Sequence, residues 1–166
     1  MTNLVLCGFM GTGKTVVGRA LASLLGRPFV DLDDEISARA GLSIREIFDR
    51  EGESGFRRRE AQVVAEFAPA AGRVLATGGG ALMDPGSRRA LEDGGSLVLL
   101  TAEPEHVARR LHGDASRPLL ADADQPVAGQ GGLDDLAGAG VIRARVARQD
   151  DRVVDDQRVG VGVPGA

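Results

Sequence analysis

The sequence predicts an α/β domain: a parallel sheet with helices on both of its faces. Three observations carry this. Short apolar runs suited to buried strands alternate with segments of helical period. The first of these runs passes directly into a glycine-rich loop that opens a helix. The chain has 166 residues, 43% of them hydrophobic, which supports one substantial core and excludes a disordered chain. A single domain over 1–166 is therefore expected.

The elements follow in order. Asn3 to Cys7 is a short buried strand. From Lys14 to Leu25, Val16, Val17, Ala20, Leu21, Leu24 and Leu25 recur at helical spacing, and Gly26 with Pro28 ends the helix. Phe29 to Asp31 is the second strand. Asp33 to Ala40 is a helix stopped by Gly41. Ser43-Ile44-Arg45-Glu46 is a capping box opening the next helix, and a further helical stretch runs from about Gly55 to Phe67. Arg73 to Thr77 is a strand that runs into Gly78-Gly79-Gly80. Asp84-Pro85 reads as an N-cap with proline at the first helical position. Ser96 to Leu100 is a strand, and Glu103-Pro104 opens a helix toward Leu111. After Arg117-Pro118 the pattern weakens. Leu133 to Val146 is the next helix candidate, although Gly138 and Gly140 each cost about 1 kcal/mol there. Arg152 to Asp155 is a candidate last strand, and Gly160 to Ala166 reads as a loose tail.

Composition narrows the function classes. No apolar run approaches the roughly 20 residues of a membrane span, and Met1-Thr2-Asn3 lacks the basic start of a signal peptide. A cytoplasmic protein with no membrane partner is expected. The net charge of −4 and the lack of any aromatic residue after Phe67 speak against a nucleic-acid partner. Cys7 is the single cysteine and lies in an apolar stretch, so it reads as a buried filler. His106 and His112 have no third ligand nearby in sequence and read as surface residues. Of the 20 basic residues only Lys14 is lysine. A chain that otherwise uses arginine throughout places a compact, flexible ammonium at one position.

That position is in a phosphate-binding loop. Gly8-Phe9-Met10-Gly11-Thr12-Gly13-Lys14-Thr15 matches G-x-x-x-x-G-K-[ST] in full, between a strand and a helix. Glycines let backbone N–H groups converge on phosphate oxygens, and the helix start adds its positive dipole end. The candidate nucleotide-binding residues are Gly11, Thr12, Gly13, Lys14, Thr15 and Val16. Lys14 reaches the β- and γ-phosphates, and the Thr15 hydroxyl suits Mg²⁺. The loop specifies a nucleoside triphosphate and leaves the acceptor open.

The acceptor side is less local. Asp31 and Asp33 end the second strand, where an open α/β sheet places its ligand crevice, and residues i and i+2 of an extended chain point the same way. They could serve a metal and an acceptor hydroxyl; equally, Asp33 or Asp34 could cap the following helix. Arg57-Arg58-Arg59 is either a solvated face or includes a bidentate clamp for a carboxylate. Gly78-Gly79-Gly80 is either a close backbone approach to a ligand or a plain turn. Arg117, before Pro118, is either a surface residue or a finger closing on the transferring phosphoryl group.

Taken together, residues 3 to 120 resemble the shikimate kinases. The resemblance rests on GFMGTGKT, DLD at 31–33, SIREIF at 43–48, GFRRRE at 55–60, ATGGGAL at 76–82 and SRPLL at 116–120, in that order and spacing. It implies a three-layer α/β/α P-loop kinase fold with a five-stranded parallel sheet and a lid at about 112–125. It implies transfer of the γ-phosphoryl group of ATP to the 3-hydroxyl of shikimate, with Mg²⁺, by a monomer. On this resemblance Lys14, Asp33 and Arg117 are catalytic, and Thr15 and Asp31 serve the hydrated metal. Asp33, Arg57, Glu60, Gly78, Gly79 and Gly80 form the shikimate site, with Glu60 supporting Arg57. Arg110 lies by the adenine, and Arg117 comes from the lid.

The chain also departs from that family. Shikimate kinases usually carry a second acceptor-binding arginine in R-x-P-x-Y after the lid, and this chain has no tyrosine. Arg143 and Arg145 stand nearest to that place. The C-terminal part from about 121 is read as diverged. Two alternatives remain: a P-loop kinase of another small hydroxy acid such as gluconate, and an ATP-binding protein that transfers nothing.

Overall fold

A computed structural model of the chain describes residues 1–105 and 107, together with the backbone of Arg143–Ala147. The element order is β1 (Asn3–Cys7), α1 (Lys14–Leu25), β2 (Phe29–Asp31), α2 (Leu32–Ala40), α3 (Ile44–Phe67), β3 (Val74–Ala76), α4 (Pro85–Gly94), β4 (Gly95–Thr101) and β5 (Arg143–Ala147). A 3₁₀ turn at Ala81–Met83 precedes α4. Helical backbone resumes at Pro104, and the Val107 N–H donates to the Glu103 carbonyl at 3.1 Å.

Local chemistry accounts for the helix ends. The Ser43 hydroxyl accepts from the Glu46 N–H, and the Ser43 N–H donates to the Glu46 carboxylate at 2.8 Å, completing the capping box. Asp84 caps α4 by accepting from the Ser87 N–H at 2.7 Å, with Pro85 behind it as the sequence predicts. The two helices expected on either side of residue 52 form one run, α3, broken only at Gly52 (φ 68°, ψ −177°). That backbone region is open to glycine and to almost nothing else.

The sheet has the order β2-β3-β1-β4-β5. β1 pairs in parallel with both β3 and β4, and β2 pairs in parallel with β3. β5 pairs antiparallel with β4. The α/β fold is as expected, and the expectation that all five strands run parallel is corrected in the last one. A single antiparallel edge strand on an otherwise parallel sheet is a common solution, because an edge needs a partner on one side only. The same segment replaces the last four residues, 143–146, of the helix predicted over 133–146. Strand pairing with β4 overrides the weak helical tendency there. The candidate strand at Arg152 to Asp155 and the tail lie outside the described residues.

Strand periodicity divides the core between the two faces of the sheet. Val5, Cys7, Leu75 and Leu97 pack with Leu32 and Ile36 of α2, with Ile47, Phe56, Val63 and Val64 of α3, and with Leu91 of α4. Leu6, Val74, Val98 and Leu100 pack on the opposite face with Ala22, Val17 and Leu21 of α1. Buried Asn3 ties the base of the sheet to the helices: its amide donates to the Ala68 carbonyl and accepts from the Arg73 N–H, both at 3.0 Å.

This topology positions the site. The chain moves from β1 past the place of β3 to β2, returns to β3, then crosses to β4 on the other side of β1. The carboxyl ends of β1, β3 and β2 therefore stand side by side at the point where the strand order reverses, which is where open α/β sheets bind ligands. The phosphate loop leaves β1, the triple glycine leaves β3 and Asp31 ends β2.

Candidate active site

The phosphate loop ends in a left-handed turn. Gly13 has φ 93° and is the N-cap of α1, with no side-chain cap. The first N–H groups of α1, from Lys14 to Val16, lie ahead of the helix's own hydrogen-bond ladder and stand at the loop mouth. Thr12 is buried, and its hydroxyl donates to the Phe9 carbonyl at 2.7 Å, so its side chain braces the loop from within. The Lys14 ammonium donates to the carbonyls of Gly8 (2.8 Å) and Phe9 (2.9 Å), lying back across the loop it belongs to. An opening of about 500 Å³ lies over this loop, lined among others by Gly11, Lys14, Thr15, Val16, Asp31 and Asp33.

Thr15 and Asp31 meet across the opening. The Thr15 hydroxyl donates to Asp31 Oδ2 at 2.7 Å, which leaves its lone pairs directed elsewhere. Asp31 Oδ1 accepts from the Asp33 N–H at 3.1 Å and makes Asp31 the N-cap of α2. The capping role that the sequence left open for Asp33 or Asp34 falls to Asp31, one residue before the helix. Two hard oxygen donors held side by side, one of them a carboxylate, are the donor set that suits Mg²⁺, which keeps most of its waters.

The three arginines at the centre of α3 have three different fates. Arg57 turns inward: its Nη1 donates to Glu60 Oε2 at 2.7 Å, and its Nε and Nη2 reach Glu53 at 3.4 and 3.3 Å. Arg59 forms a pair with Glu51, and Arg58 is exposed. Burial acts to lower the Arg57 pKa, but the Glu60 and Glu53 carboxylates outweigh it and hold the guanidinium above its ordinary value. Glu60 is 3% exposed. Burial pushes its carboxyl up from the ordinary carboxylate range in spite of the Arg57 hydrogen bond.

The glycines after β3 bring these groups together. A Cβ on Gly78 would stand 2.7 Å from Glu60 Oε1 and 2.8 Å from Asp33 Oδ1. A Cβ on Gly80 would stand 2.6 Å from both terminal nitrogens of Arg57. A Cβ on Gly79 would touch the Met10 N–H nitrogen of the phosphate loop at 3.4 Å. The turn therefore lies against the phosphate loop on one side and against Asp33, Arg57 and Glu60 on the other, and a side chain at Gly78 or Gly80 would have to displace those groups.

Of the residues expected at the site, Gly11, Gly13 to Val16, Asp31 and Asp33 line the opening, and Thr12 is buried beneath it. Gly78 lies against Asp33 and Glu60, and Gly80 against Arg57, but Arg57, Glu60 and Gly78 to Gly80 are not among the lining residues. Arg110, Arg117 and the lid expected at about 112–125 lie outside the described residues, as do His106, His112 and the side chains of Arg143 and Arg145. Cys7 is a buried filler: its thiol donates to the Val98 carbonyl, and burial pushes it up to about 11. Sequence reasoning passed over Val17, Arg19, Asp34 and Thr77, which also line the opening. It also passed over Glu53, whose i, i+4 spacing to Arg57 was the available signal.

A parallel sheet that carries a complete phosphate loop beside a carboxylate pair and a clamped arginine defines a P-loop phosphotransferase. The family model for shikimate kinase matches residues 10–135. A shikimate kinase of Burkholderia thailandensis is 51% identical over 126 residues, covering 76% of this chain and 68% of the relative. One of Symbiobacterium thermophilum is 52% identical over 124 residues, covering 74% and 71%. Among solved structures, the Acinetobacter baumannii shikimate kinase in complex with shikimate superposes with a TM-score of 0.71 at 47% identity, over 72% of this chain and 67% of that one. The shikimate kinase of Aquifex aeolicus gives 0.64 at 34% identity, over 75% and 73%. The chain belongs to the shikimate kinase family.

Glu60 yields a pH prediction. A carboxyl whose folded-state pKa is raised contributes stability below its unfolded value and loses it as pH rises through the folded value. Relative to wild type, Glu60→Gln should therefore gain in unfolding free energy as pH rises from about 4.5, the unfolded value. Urea melts of both proteins between pH 4 and pH 8 measure the gap. A gap that moves in the opposite direction would place the carboxyl in a site that favours its charge.

Proposed function

We propose that the chain transfers the γ-phosphoryl group of ATP to the 3-hydroxyl of shikimate, giving shikimate 3-phosphate and ADP. One observation supports the acceptor half of this reading: the Arg57 guanidinium, held between Glu60 and Glu53, lies against Gly80 of the turn whose Gly79 meets the phosphate loop at Met10. A planar fork braced in this way suits an anionic acceptor bound bidentately through its carboxylate.

Each residue has a role in the proposal. The backbone N–H groups from Gly11 to Val16 hold the phosphates at the start of α1. Lys14 leaves the Gly8 and Phe9 carbonyls for the β- and γ-phosphate oxygens, where its charge offsets the charge of the transition state. Thr15 and Asp31 hold a hydrated Mg²⁺, which supplies charge neutralisation on the phosphates. Arg57 orients the acceptor through its carboxylate, and Glu60 fixes Arg57. The Gly78 to Gly80 backbone walls the acceptor. Asp33 accepts hydrogen bonds from the acceptor hydroxyls and takes the proton of the attacking one. The bond from that oxygen to the γ-phosphorus forms as the bond to the β,γ-bridging oxygen breaks, and ADP leaves. Arg110 stands by the adenine, and Arg117 closes from the lid and excludes water.

No helix among the described residues is long and apolar enough to cross a membrane. ATP as donor suits a reaction in the cytoplasm. One copy of the chain supplies every residue named, so the reading takes a monomer.

The test is ADP release from purified protein with ATP and Mg²⁺, comparing shikimate, gluconate and no acceptor. Turnover is expected with shikimate alone; turnover with gluconate, or none with any acceptor while ATP still binds, overturns the reading. Arg57→Ala should raise the KM for shikimate by about 10- to 150-fold, the equivalent of a charge-assisted pair worth about 1.5–3 kcal/mol, with the KM for ATP little changed. Equal losses for both substrates would remove Arg57 from the acceptor site.

A further inference from the structure

The break in α3 at Gly52 is crossed by two side-chain contacts that the reaction itself does not use. On the buried side Phe48 meets Phe56, ring centroids 4.8 Å apart at 30°. On the other side Arg59 donates twice to Glu51, from Nε at 3.0 Å and from Nη2 at 2.7 Å. Both pairs span eight residues, one partner before the break and one after it. Both partners of the ion pair are partly shielded, with side chains 35% and 28% exposed. A fork-to-carboxylate pair of this kind fixes direction as well as distance.

The backbone is shaped to allow it. Gly52 takes a conformation that L-residues avoid, and α3 kinks there between its two segments. Gly55 is buried where the Glu51 side chain crosses the helix. A Cβ there would collide with Glu51 Cβ and lie 3.0 Å from its Oε2. The Glu51 arm reaches Arg59 through the space that Gly55 leaves open.

The segment held in this way is the one that presents Arg57. Phe56 adjoins Arg57 in the chain, and the Arg57 guanidinium lies 5.4 Å from the Phe56 ring centroid. Glu53 and Glu60, which brace Arg57, are on the same segment after the break. A change of angle at Gly52 would shift Arg57 relative to Gly80 and Asp33, and leave the phosphate loop where it is.

We propose that the Glu51–Arg59 pair is a strap across Gly52 that sets where Arg57 stands, and so tunes acceptor affinity without touching the acceptor. The inference rests on Arg57 being the clamp for the shikimate carboxylate. Glu51 and Arg59 are positioning residues.

The two partners carry opposite charges, which gives the test its discrimination. Glu51→Gln removes a negative charge and Arg59→Met removes a positive one. Electrostatics alone would move the shikimate KM in opposite directions, whereas loss of a strap moves it in the same direction. Both variants are expected to raise the KM for shikimate about fivefold, with kcat and the KM for ATP within about twofold of wild type. The double variant should be no worse than either single one, because the pair acts as a unit. Gly55→Ala, which displaces the Glu51 arm and keeps both charges, should show the same selective rise. Opposite shifts, additive effects, or a parallel loss of both KM values and of melting temperature would overturn the strap. Wild-type protein that fails to turn over shikimate would instead overturn the functional reading on which it rests.

Discussion

The placement of Asp33, Arg57 and Glu60 depends on the absence of side chains at the end of β3. Gly78, Gly79 and Gly80 lie so close to Glu60, Asp33, Arg57 and the Met10 nitrogen that a single added carbon would meet them within 2.6 to 3.4 Å. The strand order makes this turn the meeting point. β3 lies between β1 and β2, so the turn leaving β3 touches both the loop leaving β1 and the segment leaving β2. The phosphate loop and Arg57 come from segments more than forty residues apart in the chain. The glycine turn touches both, Met10 through Gly79 and Arg57 through Gly80.

Charge is distributed to match. The phosphate side offers backbone dipoles and one ammonium, which neutralise a polyanion without imposing a shape on it. Beside the glycine turn stands a planar guanidinium bonded to Glu60, a carboxylate buried deeply enough that its pKa rises even beside an arginine. Asp31 works twice, capping α2 through one oxygen and accepting from Thr15 through the other. The fold of α2 and the geometry of the Thr15–Asp31 pair are thus one constraint.

Much of this is legible in the sequence where the signal is local. The phosphate loop declares itself because eight consecutive residues carry it, and β1, α1 and β2 have the spans that periodicity predicts. The sequence misplaces the cap of α2 by two or three residues, because Asp31, Asp33 and Asp34 all have the right side chain and only backbone geometry selects among them. It puts the break in α3 near Gly55, because two glycines lie close together and sequence does not say which one takes a positive φ. It makes β5 the end of a helix: Arg143 to Val146 alternates polar and apolar residues, but its strand character comes from pairing with β4, some 45 residues away. The partners of Arg57, Arg58 and Arg59 are likewise invisible, since three identical residues differ only in what the folded chain places beside them.

The most direct test of the account is the binding of shikimate and of ATP to Gly80→Ala, each measured by titration calorimetry against wild type. The account predicts that shikimate binding is lost, because the new methyl occupies the space of the Arg57 guanidinium, while ATP binding stays within about threefold, less than about 1 kcal/mol. Shikimate binding of undiminished strength would contradict it, and would mean that the acceptor is held somewhere other than the turn after β3.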